Sequence, residues 1–361
     1  MQVIHIISSL SKINFGIWNA ALFSSSWLLE NFAINTRVWI CEHSPDTVES
    51  LHDLQITYLD QQTLSDITFL LKEQSLTKDN SIFVSHGCWL QPTRLGHELS
   101  RLGFQWLYVP HGMLEPWSLK QSKIKKFLYY FFYEGRLNKA AARVRAVSEE
   151  EQKNLSHKLN RQVDLVENGV RVMPFTEKTQ GPYIFLFMAR LHFKKGIVPL
   201  VKAWSKIMRD DPQKKLIIAG PDEGELKNIE PFIKGNVQYA GAVYGEDKIQ
   251  LLRQAHYYML PSFSEGFPTS VLDAMSYGLI PLISRGCNFN HVFSQGLGYQ
   301  IEPEIESIES VLLKLKDMKF DSALSSRNHE FILNRYSEEC IGRKLFNLYA
   351  DMINTKEVSL I

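Results

Sequence analysis

The stretch PSFSEGFPTSVLDAMSYGLIPL, residues 261–282, puts an acid, a glycine, an aromatic and a proline into one turn between two regular segments. YYMLP (257–261), just ahead, reads as the end of a β-strand. Pro268, with its fixed φ and missing N–H, suits the first position of a helix. TSVLDAMSY then reads as that helix, and Gly278 as its C-terminal stop. A helix beginning here leaves the amides near Thr269 and Ser270 as unsatisfied donors, carrying about half a positive charge from the helix dipole. Such an end is a ready anion site.

Two carboxylates flank it. Glu265 lies in the preceding loop, and Asp273 follows Thr269 by four, on the same helix face. Acids beside an anion site accept hydrogen bonds from hydroxyls, not from the anion. A ligand with phosphate in its middle and hydroxyls at both ends fits, and a nucleotide-sugar is such a molecule. The other reading is electrostatic: acids near a helix start stabilise it with no ligand at all. Ser262 opens SFSEG, so the G-x-S-x-G turn of serine hydrolases is absent.

Outward from this stretch, short β-rich runs alternate with helical patterns. Strands are expected over 2–7, 36–41, 81–85, 105–109, 143–147 and 162–166, and again over 183–188, 215–220, 236–241, 257–261 and 279–284. Helices are expected over 17–33 and 118–137. The chain reads as helical from about 304. Alternation of this kind predicts an α/β fold with parallel sheets covered by helices on both faces. It occurs in two blocks, so two doubly wound, Rossmann-like domains follow: 1–170 and 183–335. They are joined by a linker over 171–182, RVMPFTEKTQGP, with its prolines and glycine. The helix over 336–361 is expected to pack back on the first domain. Ligands of open parallel sheets sit beyond the carboxyl ends of the strands. That places His86, His111, Arg190 and the segment from Ser262 to Pro268 in candidate positions.

Bulk composition narrows the class. The chain has 361 residues, is 45% hydrophobic and carries a net charge of +1, so a sizeable core is expected and no global nucleic-acid signal exists. The cysteines Cys41, Cys88, Cys287 and Cys340 form no CxxC pair, which suggests neither a metal site nor a disulfide framework. MQVIHIISSL lacks the features of a secretion signal, and no apolar run reaches membrane-spanning length. A cytoplasmic protein is the expectation.

MARLHFKKGI, residues 188–197, follows a strand and precedes a helix. Arg190 and Lys195 fall in the loop between them, where an arginine fork and a lysine point charge can hold a diphosphate. Basic residues in a surface loop are the plainer alternative. Together with the opening stretch, this segment resembles the retaining glycosyltransferases of the GT-B fold, family 4 or group 1. VENGV (166–170) is similar to the signpost that opens their donor domain, and ARLHFKKG to their R-x4-K diphosphate motif. The run from Val237 to Pro268 follows their layout and ends in the E-G-F-P turn. LIPLIS and YSEECIGRKLFNLY (336–349) resemble their closing segments, and PHGMLEPW (110–117) a first-domain loop of members that build bacterial surface polysaccharides.

The resemblance implies roles. Glu265 would hold hydroxyls of the donor sugar and Asp273 the ribose. Gly266, Phe267, Pro268 and Thr269 would frame sugar and phosphate. Arg190 and Lys195 would neutralise the departing diphosphate. Val243 would lie near the base, His111 would face the reacting sugar, and Gly16 would let the first-domain loop approach the phosphates. The two domains would face a cleft. Two departures stand out: Asp273 replaces the usual Glu, shorter by about 1.5 Å of reach, and SKINFGIW has one glycine, Gly16, where a pair is usual.

The function so implied is retaining transfer of a hexose-type sugar from a UDP- or GDP-sugar to a hydroxyl of a saccharide acceptor, either lipid-linked or free, during synthesis of capsule, O-antigen or exopolysaccharide. A synthase acting on a small sugar phosphate is the alternative among enzymes. A non-catalytic sugar-nucleotide-binding scaffold is the alternative of another class. No DxD triplet occurs, so no metal and no cofactor beyond the co-substrate is expected. SLKQSKIKKFLYYFFY (118–133), with Lys120, Lys123, Lys125 and Lys126 ahead of an aromatic run, suits contact with the inner face of the cytoplasmic membrane. A helix with one solvated and one core face suits it equally. Dinucleotide-binding and phosphate-loop enzymes are excluded by the lack of GxGxxG after any strand and of GxxxxGK[ST].

Overall fold

A computed structural model of the protein describes residues 1–11, 15–43, 54–59, 67–115, 130, 134–179 and 181–358. The chain divides into two compact units. One comprises Met1–Gly169 with Glu338–Ile361, the other Val170–Ser337.

The first unit is built on seven strands: β1 Gln2–Ile7, β2 Asn35–Ile40, β3 Gln55–Tyr58, β4 Ser81–His86, β5 Gln105–Val109, β6 Arg143–Ala146 and β7 Asp164–Leu165. They pair in parallel in the order β3-β2-β1-β4-β5-β6-β7. Its principal helices are α1 Phe15–Leu22, α2 Ser25–Phe32, α3 Ile67–Glu73, α4 Gln91–Arg101 and α5 Glu149–Leu159. β1 and β4 are buried at almost every position, as strands covered on both faces must be. The order reverses between β1 and β4, so the switch point of this sheet lies beyond His86.

The second unit has six parallel strands in the order β10-β9-β8-β11-β12-β13. They are β8 Tyr183–Met188, β9 Lys214–Ala219, β10 Val237–Gly241, β11 Tyr257–Leu260, β12 Ile280–Ile283 and β13 Tyr299–Gln300. Helices α6 Ile197–Ile207, α7 Gly245–Gln254, α8 Thr269–Ser276, α9 Ile305–Lys316 and α10 Ser322–Tyr336 cover it. Here the order reverses between β8 and β11. The loops leaving those two strands carry the two motifs that decided the sequence reading.

Ser337 is extended, with φ −63° and ψ 161°, and separates α10 from α11, Glu338–Val358. α11 packs within the first unit. Phe346 stacks on Phe32 of α2 at 3.7 Å between ring centroids, and a Cβ on Gly342 would come within 2.3 Å of the Trp27 ring. Lys344 adds an ion pair to Glu167 at 2.8 Å.

Several expectations need correction. The helix expected over 17–33 is two helices, because Ser24 (φ −93°, ψ 3°) leaves helical geometry between them. β3 and β13 were not expected. Both are short edge strands, and QITY of β3 is half exposed, so neither presents an apolar run. The helix expected over 118–137 lies outside the described residues except at 130 and 134–137, and the basic-aromatic stretch falls there with its four lysines. Among the described residues, no helix is long and apolar enough to cross a membrane.

Candidate functional site

β8 ends at Met188, and the chain turns through Arg190 into a short 3-10 turn, Phe193–Lys195, before α6 begins. Gly196 makes the turn possible. Its φ is +67°, and a Cβ there would lie 2.0 Å from the carbonyl oxygen of Pro261. Glycine thus lets the loop after β8 rest directly on the loop after β11. Gly286 does the same from the β12 side, where a Cβ would come within 2.5 Å of the Ser262 carbonyl.

This packing brings Lys195 to Glu265. The ammonium donates to both carboxylate oxygens, at 2.6 and 2.8 Å, with side chains only 15% and 12% exposed. Ser262 Oγ lies 2.6 Å from Glu265 Oε1. The backbone of Glu265 is fixed as well: its amide donates to Gly286 at 2.7 Å, and its carbonyl accepts from Asn288 Nδ2 at 2.8 Å. Burial pushes the Glu265 carboxyl up, but the charge and hydrogen bond of Lys195 with the Ser262 hydroxyl outweigh it, leaving the carboxyl below its ordinary range.

Arg190 is paired differently. Its Nη1 donates to both oxygens of Glu223, at 2.8 and 3.0 Å, and its side chain is 47% exposed. Asp273, on α8, accepts from Lys248 of α7 at 2.6 Å. The sequence reading singled out Arg190, Lys195, Glu265 and Asp273, both members of the Lys195–Glu265 pair among them, but neither Glu223 nor Lys248. Every one of these four charges is matched within the second unit.

The helix start differs in detail from expectation. Pro268 precedes the first helical residue, with φ −86° and ψ 77°, and α8 begins at Thr269. Pro268 accepts from Val271, and the Thr269 amide donates to Phe267 at 3.0 Å, so that amide is not free for an anion. The loop closes on itself because two aromatic-rich segments pack there: Phe267 lies edge-on to Phe289 at 5.8 Å and beside Tyr336. Gly266 and Phe267 are half-buried and Pro268 is buried. Val243 is half-buried in the loop after β10.

Gly16 and His111 belong to the first unit. Gly16 is an exposed residue of α1. His111 stands just after β5 in the left-handed region, φ +53°, with Gly112 behind it at φ +74°. The Gly112 amide is held by Glu151, whose other carboxylate oxygen accepts from Val147 at 2.8 Å. Ser148 and Glu151 cap α5, with Ser148 Oγ accepting from the Glu151 amide. One capping acid therefore also fixes the turn that carries His111. His86 stands at the end of β4, 3% exposed, with its ring against His111.

The profile described as "Glycosyl transferases group 1" matches residues 172–332, nearly the whole second unit. The GDP-mannose:cellobiosyl-diphosphopolyprenol alpha-mannosyltransferase of Xanthomonas oryzae pv. oryzae is 27% identical over 196 residues, 48% of this chain and 51% of that protein. The N,N'-diacetylbacillosaminyl-diphospho-undecaprenol alpha-1,3-N-acetylgalactosaminyltransferase of Campylobacter jejuni is 29% identical over 47% of this chain and 45% of its own length. The chain thus spans about half the length of these curated relatives. Among solved structures, Anabaena HepE in complex with UDP and glucose superposes with a TM-score of 0.74 at 13% identity, covering 97% of this chain and all of that one. WaaG, a glycosyltransferase involved in lipopolysaccharide biosynthesis, gives 0.66 at 12% identity over 98% of this chain and 99% of its own. With two parallel Rossmann-like sheets and these superpositions, the chain has the GT-B fold, and its second unit matches the group 1 glycosyltransferase profile.

Proposed function

We propose that the protein transfers a sugar from a nucleoside-diphosphate donor to a hydroxyl of a lipid-linked saccharide in the assembly of a bacterial surface polysaccharide. Transfer proceeds with retention at the anomeric carbon and without a metal ion. One observation carries the reading: Lys195 and Glu265 converge from the loops on either side of the sheet's switch point, where an open parallel sheet binds its ligand. The names of the relatives support the acceptor class, since the Xanthomonas and Campylobacter enzymes act on saccharides joined by diphosphate to a polyprenol.

The charge balance assigns the parts. Arg190, Lys195, Glu223 and Glu265 sum to zero, and Lys194, whose charge also acts on Glu265, adds one cation; the arriving diphosphate draws a further cation from its carboxylate. The exposed Arg190–Glu223 pair opens at little cost, because surface ion pairs contribute at most about 1 kcal/mol. The enclosed Lys195–Glu265 pair, tied to Ser262, stays together. Arg190 therefore turns to the diphosphate, while Lys195 meets the leaving group from a fixed position. Glu265 presents its carboxylate to donor hydroxyls. Charge stabilisation built in before the reaction needs no reorganisation when the bond breaks. The leaving phosphate assists in taking the acceptor proton.

The test is a thermal-shift screen across UDP- and GDP-sugars. It is followed by transfer to polyprenyl-diphosphate-linked saccharides with and without a chelator, and by NMR of the product's anomeric configuration. A ligand at 100 times its Kd stabilises by about 2.7 kcal/mol. No shift with any nucleotide-sugar refutes the transferase reading. An inverted product refutes retention, and loss of activity on chelation refutes the metal-free step.

A further inference from the structure

Three histidines of the first unit form one hydrogen-bonded line. His5 Nδ1 lies 2.8 Å from His86 Nε2, and His86 Nδ1 lies 2.8 Å from His111 Nε2. The rings stack, with centroids 5.0 and 5.1 Å apart. Sheet register explains the alignment. His5 pairs with Val84 on β4, two residues before His86, and His86 pairs with Val109 on β5, two residues before His111. The step of two keeps His5 and His86 on one face of the sheet, and the left-handed turn after β5 brings His111 into line with them, so the line runs diagonally toward the carboxyl ends of three adjacent strands. His5 and His86 are each 3% exposed, and His111 is half-buried at the open end.

The line is uncharged. Burial, then the nearby Arg145 guanidinium, lowers His5 and His111 to about 3. Burial and the neighbouring rings hold His86 well below its ordinary value. Arg145 is itself fixed, donating to the carbonyls of Val166 and Glu167 and lying 3.3 Å from Asn168 Oδ1. Three neutral imidazoles carry three N–H groups on six nitrogens. Each contact uses one N–H and one lone pair. The central ring has one of each, so both contacts must run in the same direction. The third N–H then sits at one end, on His111 Nδ1 or on His5 Nε2.

We propose that His5 and His86 are positioning residues that set the tautomer of His111, so that its Nδ1 meets a hydroxyl of the bound saccharide with one fixed hydrogen-bonding sense. The saccharide part of this proposal rests on the transferase reading; the coupling of the three rings does not. A ring that could present either sense would lose part of each productive encounter to the wrong tautomer.

The experiment uses the full chain with 15N-labelled histidine. Long-range 1H–15N spectra report which ring nitrogen carries the proton. The expected result is one common sense for all three rings, and a changed His111 pattern in His5→Leu and in His5→Asn, whose amide presents either sense. In His86→Phe, which cuts the line, the further change His5→Leu leaves His111 unaltered. Opposed senses in the native chain, or an unchanged His111 pattern in both His5 variants, overturn the coupling. Losing one hydrogen bond of about 1 kcal/mol corresponds to a fall of about fivefold in kcat, with the donor KM within about twofold. A shifted His111 pattern with unaltered kcat overturns the role toward saccharide. Absence of nucleotide-sugar binding in the native chain refutes the transferase reading instead, and leaves the spectra to decide the coupling alone.

Discussion

Lys195 Nζ lies 2.6 and 2.8 Å from the two oxygens of Glu265, across 70 residues of sequence and between loops leaving β8 and β11. The pair is enclosed and carries a third bond from Ser262. Each charge is the other's main reason for being tolerated there. A side chain assigned to the leaving diphosphate is thus also part of the second unit's stability.

Lys195→Ala should therefore do two things. Removing a preorganised cation costs roughly 10²–10³ in turnover. Leaving Glu265 enclosed without its partner costs about 3 kcal/mol of stability in the second unit. Lys195→Met combined with Glu265→Gln removes both charges, so most of the stability returns while turnover stays low. Steady-state kinetics beside urea unfolding separates the two effects. Normal turnover in Lys195→Ala defeats the assignment of Lys195.

Arg190 and Glu223 make the opposite case. Their pair is exposed, so its loss hardly affects folding. Glu223→Gln leaves Arg190 unopposed before the donor arrives. The donor KM should fall, by at most about fivefold for a pair worth up to 1 kcal/mol. Arg190→Ala should raise that KM and lower kcat. A donor KM unchanged in Glu223→Gln argues that Arg190 never leaves its carboxylate.

Gly196→Ala tests the contact between loops. The left-handed backbone alone costs an alanine about 1–2 kcal/mol, and the Pro261 carbonyl must also move, because it would lie 2.0 Å from the new Cβ. Lys195 is the neighbouring residue and moves with it. Misplacing a reacting group by about 1 Å can cost 10²-fold, so turnover should fall by more than tenfold. Gly296→Ala is the control. It has the same positive φ (+60°) with nothing within 4 Å of the added Cβ, and it should lose stability without losing turnover.

The two sheets and the two strand-end motifs are legible in the sequence because apolar runs, turn residues and charges there follow local rules. The partners are not. Glu223 is 33 residues from Arg190, Lys248 is 25 from Asp273, and Asn288 is 23 from Glu265. Each pair forms only once the strand order places its loops side by side, and nothing local in DEGE or EDKIQ announces it. The amide of Thr269 illustrates a second limit. The sequence shows where a helix starts, but not that the Phe267 carbonyl folds back to take the first donor. His86 and His111 each follow a strand and precede a glycine, which marks them. His5 lies inside β1, and only the adjacency of β1 and β4 joins it to them.

Acid should weaken the first unit through the same three histidines. In the unfolded chain each titrates near 6.5. In the folded chain His5 and His111 are lowered to about 3, and burial holds His86 well below its ordinary value. Below pH 6.5 the unfolded chain therefore binds protons that the folded chain refuses, so stability falls as pH falls, by about 1.4 kcal/mol per pH unit for each histidine. Glu151, packed against the His111 turn from α5, works against this. Burial raises its carboxyl to about 7 despite the amides of Val147 and Gly112. Between about 4.5 and 7 the folded chain holds a proton there that the unfolded chain has released, and stability falls as pH rises. Glu115, in the same loop as His111, is likewise raised by burial, and Arg145 on β6 keeps its charge throughout this range. Urea midpoints of β1 and β4, followed by hydrogen exchange between pH 4.5 and 6.5, measure the balance. His86→Phe should make the dependence on pH shallower by about one proton, and Glu151→Gln should make it steeper by about one. A slope unmoved by His86→Phe would mean that His86 takes up its proton in the folded chain.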